Sequence, residues 1–182
     1  MTTSLQPKFI AALAALLFSL PCFAIDLDSA SLEAGSGSQV RMLRVGVQSN
    51  FAPRWFQSNG THLSGYWDAA VAEWRGNAYR NVKGERQYIT IFGLTPVFRL
   101  QADDLKGWYL EAGVGANLLT KLYDNNDDHL STSFQFNDHL GAGYVFDGGW
   151  DVGIKLEHFS NGGIKKPNSG VNFVLLKVAR KF

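Results

Sequence analysis

The chain has one cysteine among 182 residues, Cys22, and it lies in a leader-like N-terminal stretch. A mature protein without a thiol can hold no disulfide framework, no cysteine-ligated metal and no cysteine nucleophile. Its stability must come from burial and backbone pairing. Net charge is nearly absent as well: 17 Lys and Arg against 16 Asp and Glu leave +1, which argues against nucleic acid as a partner. Beyond the leader no apolar run approaches the roughly 18 residues that a membrane-spanning helix requires. Helical periodicity is also missing.

What is present begins with an export signal. Lys8 precedes an apolar run from Phe9 to Leu20, and Pro21-Cys22-Phe23-Ala24 follows, which reads as a signal peptide over residues 1–24 with cleavage after Ala24. Cys22 would be the lipidated residue of a lipoprotein, but Pro21 directly before it and the small residue at Ala24 argue against that use. The remainder, residues 25–182, has the size of one domain. Aromatic residues make up 13% of the chain and there are 19 glycines. Apolar residues alternate with period 2, broken by Gly, Asn and Asp clusters about every ten residues. Leu43, Val45 and Val47 share one side of their segment. Trp108, Leu110, Ala112, Val114, Ala116 and Leu118 do the same, as do Val152, Ile154 and Leu156, while the opposite faces are polar or glycine.

A soluble barrel with an apolar interior would alternate too, so the polar face has to decide. Glu111, Asn117, Lys155 and Glu157 are interspersed with glycines, which suits a narrow polar lumen filled by side chains. The last segment ends with Phe182 on the apolar face of Val174, Leu176 and Val178, like the C-terminal aromatic that marks bacterial outer-membrane barrels for assembly. The spacing predicts an all-β fold, an eight-stranded antiparallel transmembrane β-barrel. The predicted strands are Asp28 to Gly35, Met42 to Phe51, His62 to Trp74, Gln87 to Leu100, Gly107 to Leu119, Thr132 to Phe146, Trp150 to Asn161 and Val171 to Phe182. The first alternates poorly, and Pro96 in the fourth predicts a bulge or a gap in pairing. There is no second domain and no internal repeat.

With both termini periplasmic, the connection from 162 to 170 is an extracellular loop, and His158 and Ser160 lie just below it. Counting by twos from Val152, Ile154 and Leu156 leads to His158 and Ser160, so both point toward lipid. Asn172, counted back from Val174, points the same way on the next strand. Polar groups facing hydrocarbon are costly. They form either a catalytic group or the wet rim of a barrel that has already left the hydrocarbon, and the residue pattern alone leaves both open.

The cluster His158-Phe159-Ser160-Asn161 with Gly163, Lys165 and Pro167-Asn168, together with Leu63-Ser64-Gly65-Tyr66-Trp67-Asp68, resembles the PagL family of lipid A 3-O-deacylases. These are outer-membrane barrels that hydrolyse the ester-linked acyl chain at position 3 of lipid A. The resemblance covers most of the mature chain. It implies Ser160 as nucleophile, His158 as general base, and Asn161 and Gly163 as oxyanion-binding residues. A serine hydroxyl needs a neighbouring imidazole to take its proton, which suits these residue types. The chemistry requires neither metal nor cofactor. One position departs from the family pattern: a glutamate completes the triad there, and the matching residue here is Asn172. An amide can orient the histidine but brings no charge to the imidazolium, which predicts a slower enzyme or an acid recruited from elsewhere.

Lipid A carries phosphates, and the positive residues near the outer rim are candidates to hold them: Arg75, Arg80, Lys83 and Arg86 in one loop, Lys165 and Lys166 in another. Asp124-Asn125-Asn126-Asp127-Asp128 lacks the glycine and glutamate of a calcium loop and reads as solvated. His62, His129 and His139 are too dispersed for a metal cluster. Expected partners are lipopolysaccharide, the surrounding outer-membrane lipid and the barrel-assembly machinery through Phe182, with a homodimer left open. The rival readings are a non-catalytic lipopolysaccharide-binding or structural barrel, and a pore, the latter opposed by the side-chain-filled interior of an eight-stranded barrel.

Overall fold

The computed structural model describes residues 26–182; the predicted signal peptide, with Cys22, lies outside the described residues. Strands follow in the order β1 (Ser29–Gly37), β2 (Val40–Asn50), β3 (Trp55–Ser58), β4 (Thr61–Gly76), β5 (Gln87–Ala102), β6 (Gly107–Leu119), β7 (Asp124–Asn125), β8 (Asp128–His129), β9 (Phe134–Val145), β10 (Trp150–Ser160) and β11 (Val171–Lys181). Eight of them form an antiparallel meander that closes on itself, with β1 paired to both β2 and β11 and β2 paired onward to β4. Closure leaves the barrel without a free edge, as a sheet in lipid must be. The other three are short: β3 makes a hairpin with the start of β4 below the barrel, and β7 and β8 pair with each other in an outer loop.

Every predicted strand is present, with ends displaced by a few residues. The weakly alternating first one is a complete member of the barrel. Its glycines have a packing cause: a β-carbon on Gly35 would stand 2.8 Å from the Cα of Leu175 on β11. Around Pro96 the pairing of β5 with β6 lapses between Leu94↔Ala116 and Val97↔Gly113 and then resumes in the same register. That is the gap a residue without an amide hydrogen produces.

The polar interior the sequence suggests is present, with Glu111, Asn117, Lys155 and Glu157 all buried in it, but an apolar plug that the sequence does not suggest fills much of the upper lumen. Arg44 bonds both oxygens of Glu157 and lies 3.0 Å from Glu33, which also receives Lys155 at 2.6 Å. Below them Arg99 joins Glu111 and Asp151. The upper lumen is an apolar plug in which Trp74 meets Phe159, Phe173 and Tyr123 at ring-centroid separations of 4.8, 4.9 and 5.7 Å. Leu130 and Leu175 complete it. Burial pushes the Tyr123 hydroxyl, in the loop above the plug, up to about 12.

Over the plug the outer loops interlock. The stretch from Asp124 to Asp128, read from the sequence as a solvated loop, is a hairpin whose Asn125 is wholly buried and accepts the Ala78 amide at 2.8 Å. Its neighbour His129 exchanges backbone bonds with Ser169: Ser169 N donates to His129 O at 3.0 Å, and His129 N donates to Ser169 Oγ at 3.0 Å. The loop after β10 is thereby tied to the rest of the cap, and the segment that follows Ser160 is held rather than free.

Candidate active site

Along β10 the residues alternate strictly. Asp151, Gly153, Lys155, Glu157 and Phe159 turn inward, while Val152, Ile154, Leu156, His158 and Ser160 turn outward. The two inward residues on either side of His158 fix the strand: Glu157 by its bonds to Arg44 and Asn137, and Phe159 by insertion into the plug. His158 stands in register with Asn172 on β11. Its Nδ1 lies 2.7 Å from Asn172 Oδ1. An amide oxygen only accepts, so Nδ1 carries the hydrogen, and in the neutral ring the lone pair is on Nε2.

Gly170 supports the other side of the ring. It has φ +77°, and a β-carbon there would lie 2.5 Å from His158 Cε1 and 3.3 Å from Nε2. Ser160 makes no hydrogen bond to His158 among the described residues; its Oγ accepts the Gly162 amide at 3.5 Å. Two residues along a strand span about 6.6 Å, a separation that side-chain rotation and a bound substrate can close, as catalytic bonds often tighten only in the complex.

Asn161 is buried and organises the turn that follows. Its backbone amide donates to Asn168 Oδ1 at 3.0 Å, its side-chain amide donates to Lys165 O at 2.7 Å, and its Oδ1 accepts Gly163 N at 2.9 Å. These atoms brace the loop, and the amide directed at Ser160 Oγ is that of Gly162.

An open groove of about 450 Å³ runs over the outer surface beside His158, with Ser160 outside its lining. His158, Asn172 and Asp138 form its polar wall, Leu140, Leu156 and Val174 its apolar wall, and Ser36 and Gly37 its far rim. A polar end next to an apolar trough is the shape an acyl ester requires.

The positive candidates separate. Lys165 and Lys166 are exposed on the loop that carries Gly162 and Gly163. Arg75 faces outward from β4, four strands from β10 in a barrel of eight and hence on the opposite side, with Arg80, Lys83 and Arg86 in the loop after it. Arg75 has Arg41 as its in-register neighbour on β2. The remaining histidines are apart from the pair. His62 bonds Asp103 below the barrel, His129 bonds Asp124 above it, and His139 is buried in the lumen.

A family model described as lipid A 3-O-deacylase (PagL) matches residues 41–181. The chain belongs to the PagL family. Lipid A deacylase PagL of Pseudomonas aeruginosa is 31% identical over 146 residues, covering 79% of this chain and 80% of that protein. The Bordetella bronchiseptica protein of the same name is 36% identical over 87 residues, 48% of this chain and 47% of its own. Among solved structures, that of the outer membrane enzyme PagL matches with a TM-score of 0.73 at 27% identity, covering 85% of this chain and 99% of that one. Like the PagL family, this chain is an outer-membrane barrel and a hydrolase.

Sequence reasoning missed two residues of this PagL-family site. Asp138 lies in register with His158 on β9, and Gly170 lies against its ring. A signal for the first was present in the alternation of Phe134, Phe136, Asp138 and Leu140, where one carboxylate interrupts an apolar face. Gly170 was recognisable only as the end of a loop.

Proposed function

We propose that this chain is a lipid A 3-O-deacylase that hydrolyses the 3-hydroxyacyl ester at position 3 of lipid A with Ser160 as nucleophile and His158 as base, on the lipid-facing surface in the outer leaflet. One observation carries the reading: a histidine at the polar end of an apolar groove, its Nδ1 held by an amide oxygen, stands two residues from a serine on the same outward face. The parity of β10 and the family membership support it independently.

In this mechanism Ser160 Oγ attacks the ester carbonyl carbon while His158 Nε2 takes the hydroxyl proton. The tetrahedral intermediate places its oxyanion near the Gly162 amide, with Asn161 and Gly163 shaping the turn that aims it. An oxyanion donor of this kind is worth roughly 3–4 kcal/mol. Collapse breaks the bond to the sugar oxygen, which receives the proton from His158, and leaves the acyl group on Ser160. His158 then takes a proton from water, the hydroxide attacks the acyl carbon, and the 3-hydroxy fatty acid leaves as Ser160 is reprotonated. Lys165 and Lys166, on the same loop, are the phosphate contacts this geometry favours.

The exposed Phe182, just past the periplasmic end of β11, suits recognition by the assembly machinery. The test is mass spectrometry of lipid A from cells expressing the parent, Ser160→Ala or His158→Ala. Loss of one 3-hydroxyacyl group in the parent alone is the expected result. Deacylation that persists in folded Ser160→Ala would overturn the mechanism, and lipopolysaccharide binding without any release would favour a structural barrel.

A further inference from the structure

Asn172 orients His158 but leaves the imidazolium, formed when Ser160 gives up its proton, without a carboxylate on that strand. The opposite strand supplies one. Asp138 on β9 is in register with His158 on β10, as Asn172 is on β11, so the ring stands between an amide and a carboxylate on one outward row. Directly opposed residues of an antiparallel pair have β-carbons about 4.5–5.5 Å apart.

On its other side Asp138 is paired with Val114 of β6, and along β9 its outward neighbours are Phe136 and Leu140. Among the described residues its carboxylate has no hydrogen-bond or ion-pair partner. A carboxylate among apolar side chains on a lipid-facing surface is costly unless a charge answers it. The group positioned to do so is His158, with which Asp138 shares the wall of the groove. Glu157, adjacent in sequence, faces the lumen and is held by Arg44, so the barrel wall separates it from the reaction.

We propose that Asp138 provides the negative charge that stabilises protonated His158. The work that a single glutamate does in the family pattern is then divided between two strands: Asn172 sets the tautomer and orientation of the ring, and Asp138 supplies the charge. The proton passes from Ser160 Oγ to His158 Nε2 and on to the leaving sugar oxygen, while Asp138 stays ionised throughout and takes none. Asp138 is a positioning residue acting through His158. The inference rests on the Ser160–His158 mechanism proposed above.

The experiment measures kcat and KM for fatty-acid release from lipopolysaccharide in detergent micelles. It compares the parent, Asp138→Asn, Asp138→Glu, Asn172→Glu and the double variant Asp138→Asn/Asn172→Glu, with the folded barrel verified by its shifted migration on unheated gels. Asp138→Asn is expected to lower kcat by about tenfold or more with KM within about twofold, and Asp138→Glu to recover part of the loss. With Asn172→Glu in place the charge is already beside Nδ1, so adding Asp138→Asn should cost less than about threefold. A parent-like kcat in folded Asp138→Asn, an equal loss in both backgrounds, or a change confined to KM would overturn the inference. Ser160→Ala separates the two layers. Activity surviving in it removes the underlying mechanism, whereas an inactive Ser160→Ala beside a fully active Asp138→Asn removes only the role of Asp138.

Discussion

Replacing Gly170 with alanine tests whether the position of the His158 ring, rather than its mere presence, sets the rate. The added β-carbon would stand 2.5 Å from Cε1 and 3.3 Å from Nε2. Non-bonded carbons rest at about 3.5–4.0 Å, so the ring has to retreat by about 1 Å. That movement carries Nε2 away from the Ser160 side and pulls on the 2.7 Å bond to Asn172. A misplacement of about 1 Å at a reacting group costs on the order of 100-fold in rate, equivalent to about 2.7 kcal/mol of barrier.

The substitution also strains the backbone, since φ is +77° and an L side chain there costs about 1–2 kcal/mol. Gly60 has the same φ of +77° in the β3–β4 hairpin, with no atom within 4 Å of its β-carbon position. Gly60→Ala therefore carries the strain without the collision. In the micelle assay, with folding checked by gel migration, kcat of Gly170→Ala should fall about 100-fold while Gly60→Ala stays within about twofold. A Gly170→Ala enzyme within about threefold of the parent would refute the claim that this contact positions the base.

The apolar plug and the ion network give two further expectations. Phe159→Ala removes a buried ring packed on Trp74 and Phe173; it should destabilise the barrel by about 3–5 kcal/mol in urea unfolding from lipid vesicles and lower activity by loosening the strand that bears His158 and Ser160. Arg44→Met leaves Glu157 as a buried carboxylate without its cation while Glu33 keeps Lys155, and should cost about 3–5 kcal/mol by the same unfolding measurement, with the double change Arg44→Met/Glu157→Gln recovering a substantial part. Equal stability of the single and double variants would show that the Glu157 charge is relieved by other groups.

The strands were legible because a strand in lipid writes its facing into every second residue. Met42 to Phe51 and Trp150 to Asn161 needed no partner to be recognised. The first strand was harder to read because Gly35 is small for the sake of Leu175, a contact about 140 residues away in the chain. In the acidic stretch after β6, read as solvated, Asp127 is exposed but Asn125 is buried; composition alone does not show that Asn125 finds the Ala78 amide across the cap. The upper lumen was misread for a related reason: Trp74, Phe159 and Phe173 occupy the inward parity of three different strands, and only closure brings them together.

The sequence by itself determined the period of the strands and the outward direction of His158, Ser160 and Asn172, because side-chain direction along a strand is a local property of the backbone. The tertiary structure alone decided what stands beside them. Hydrogen-bond register and barrel closure set Asp138 next to His158, laid Gly170 against the ring and carried Arg75 to the opposite wall. Those relations depend on how separate strands slide past one another, which no stretch of chain records on its own.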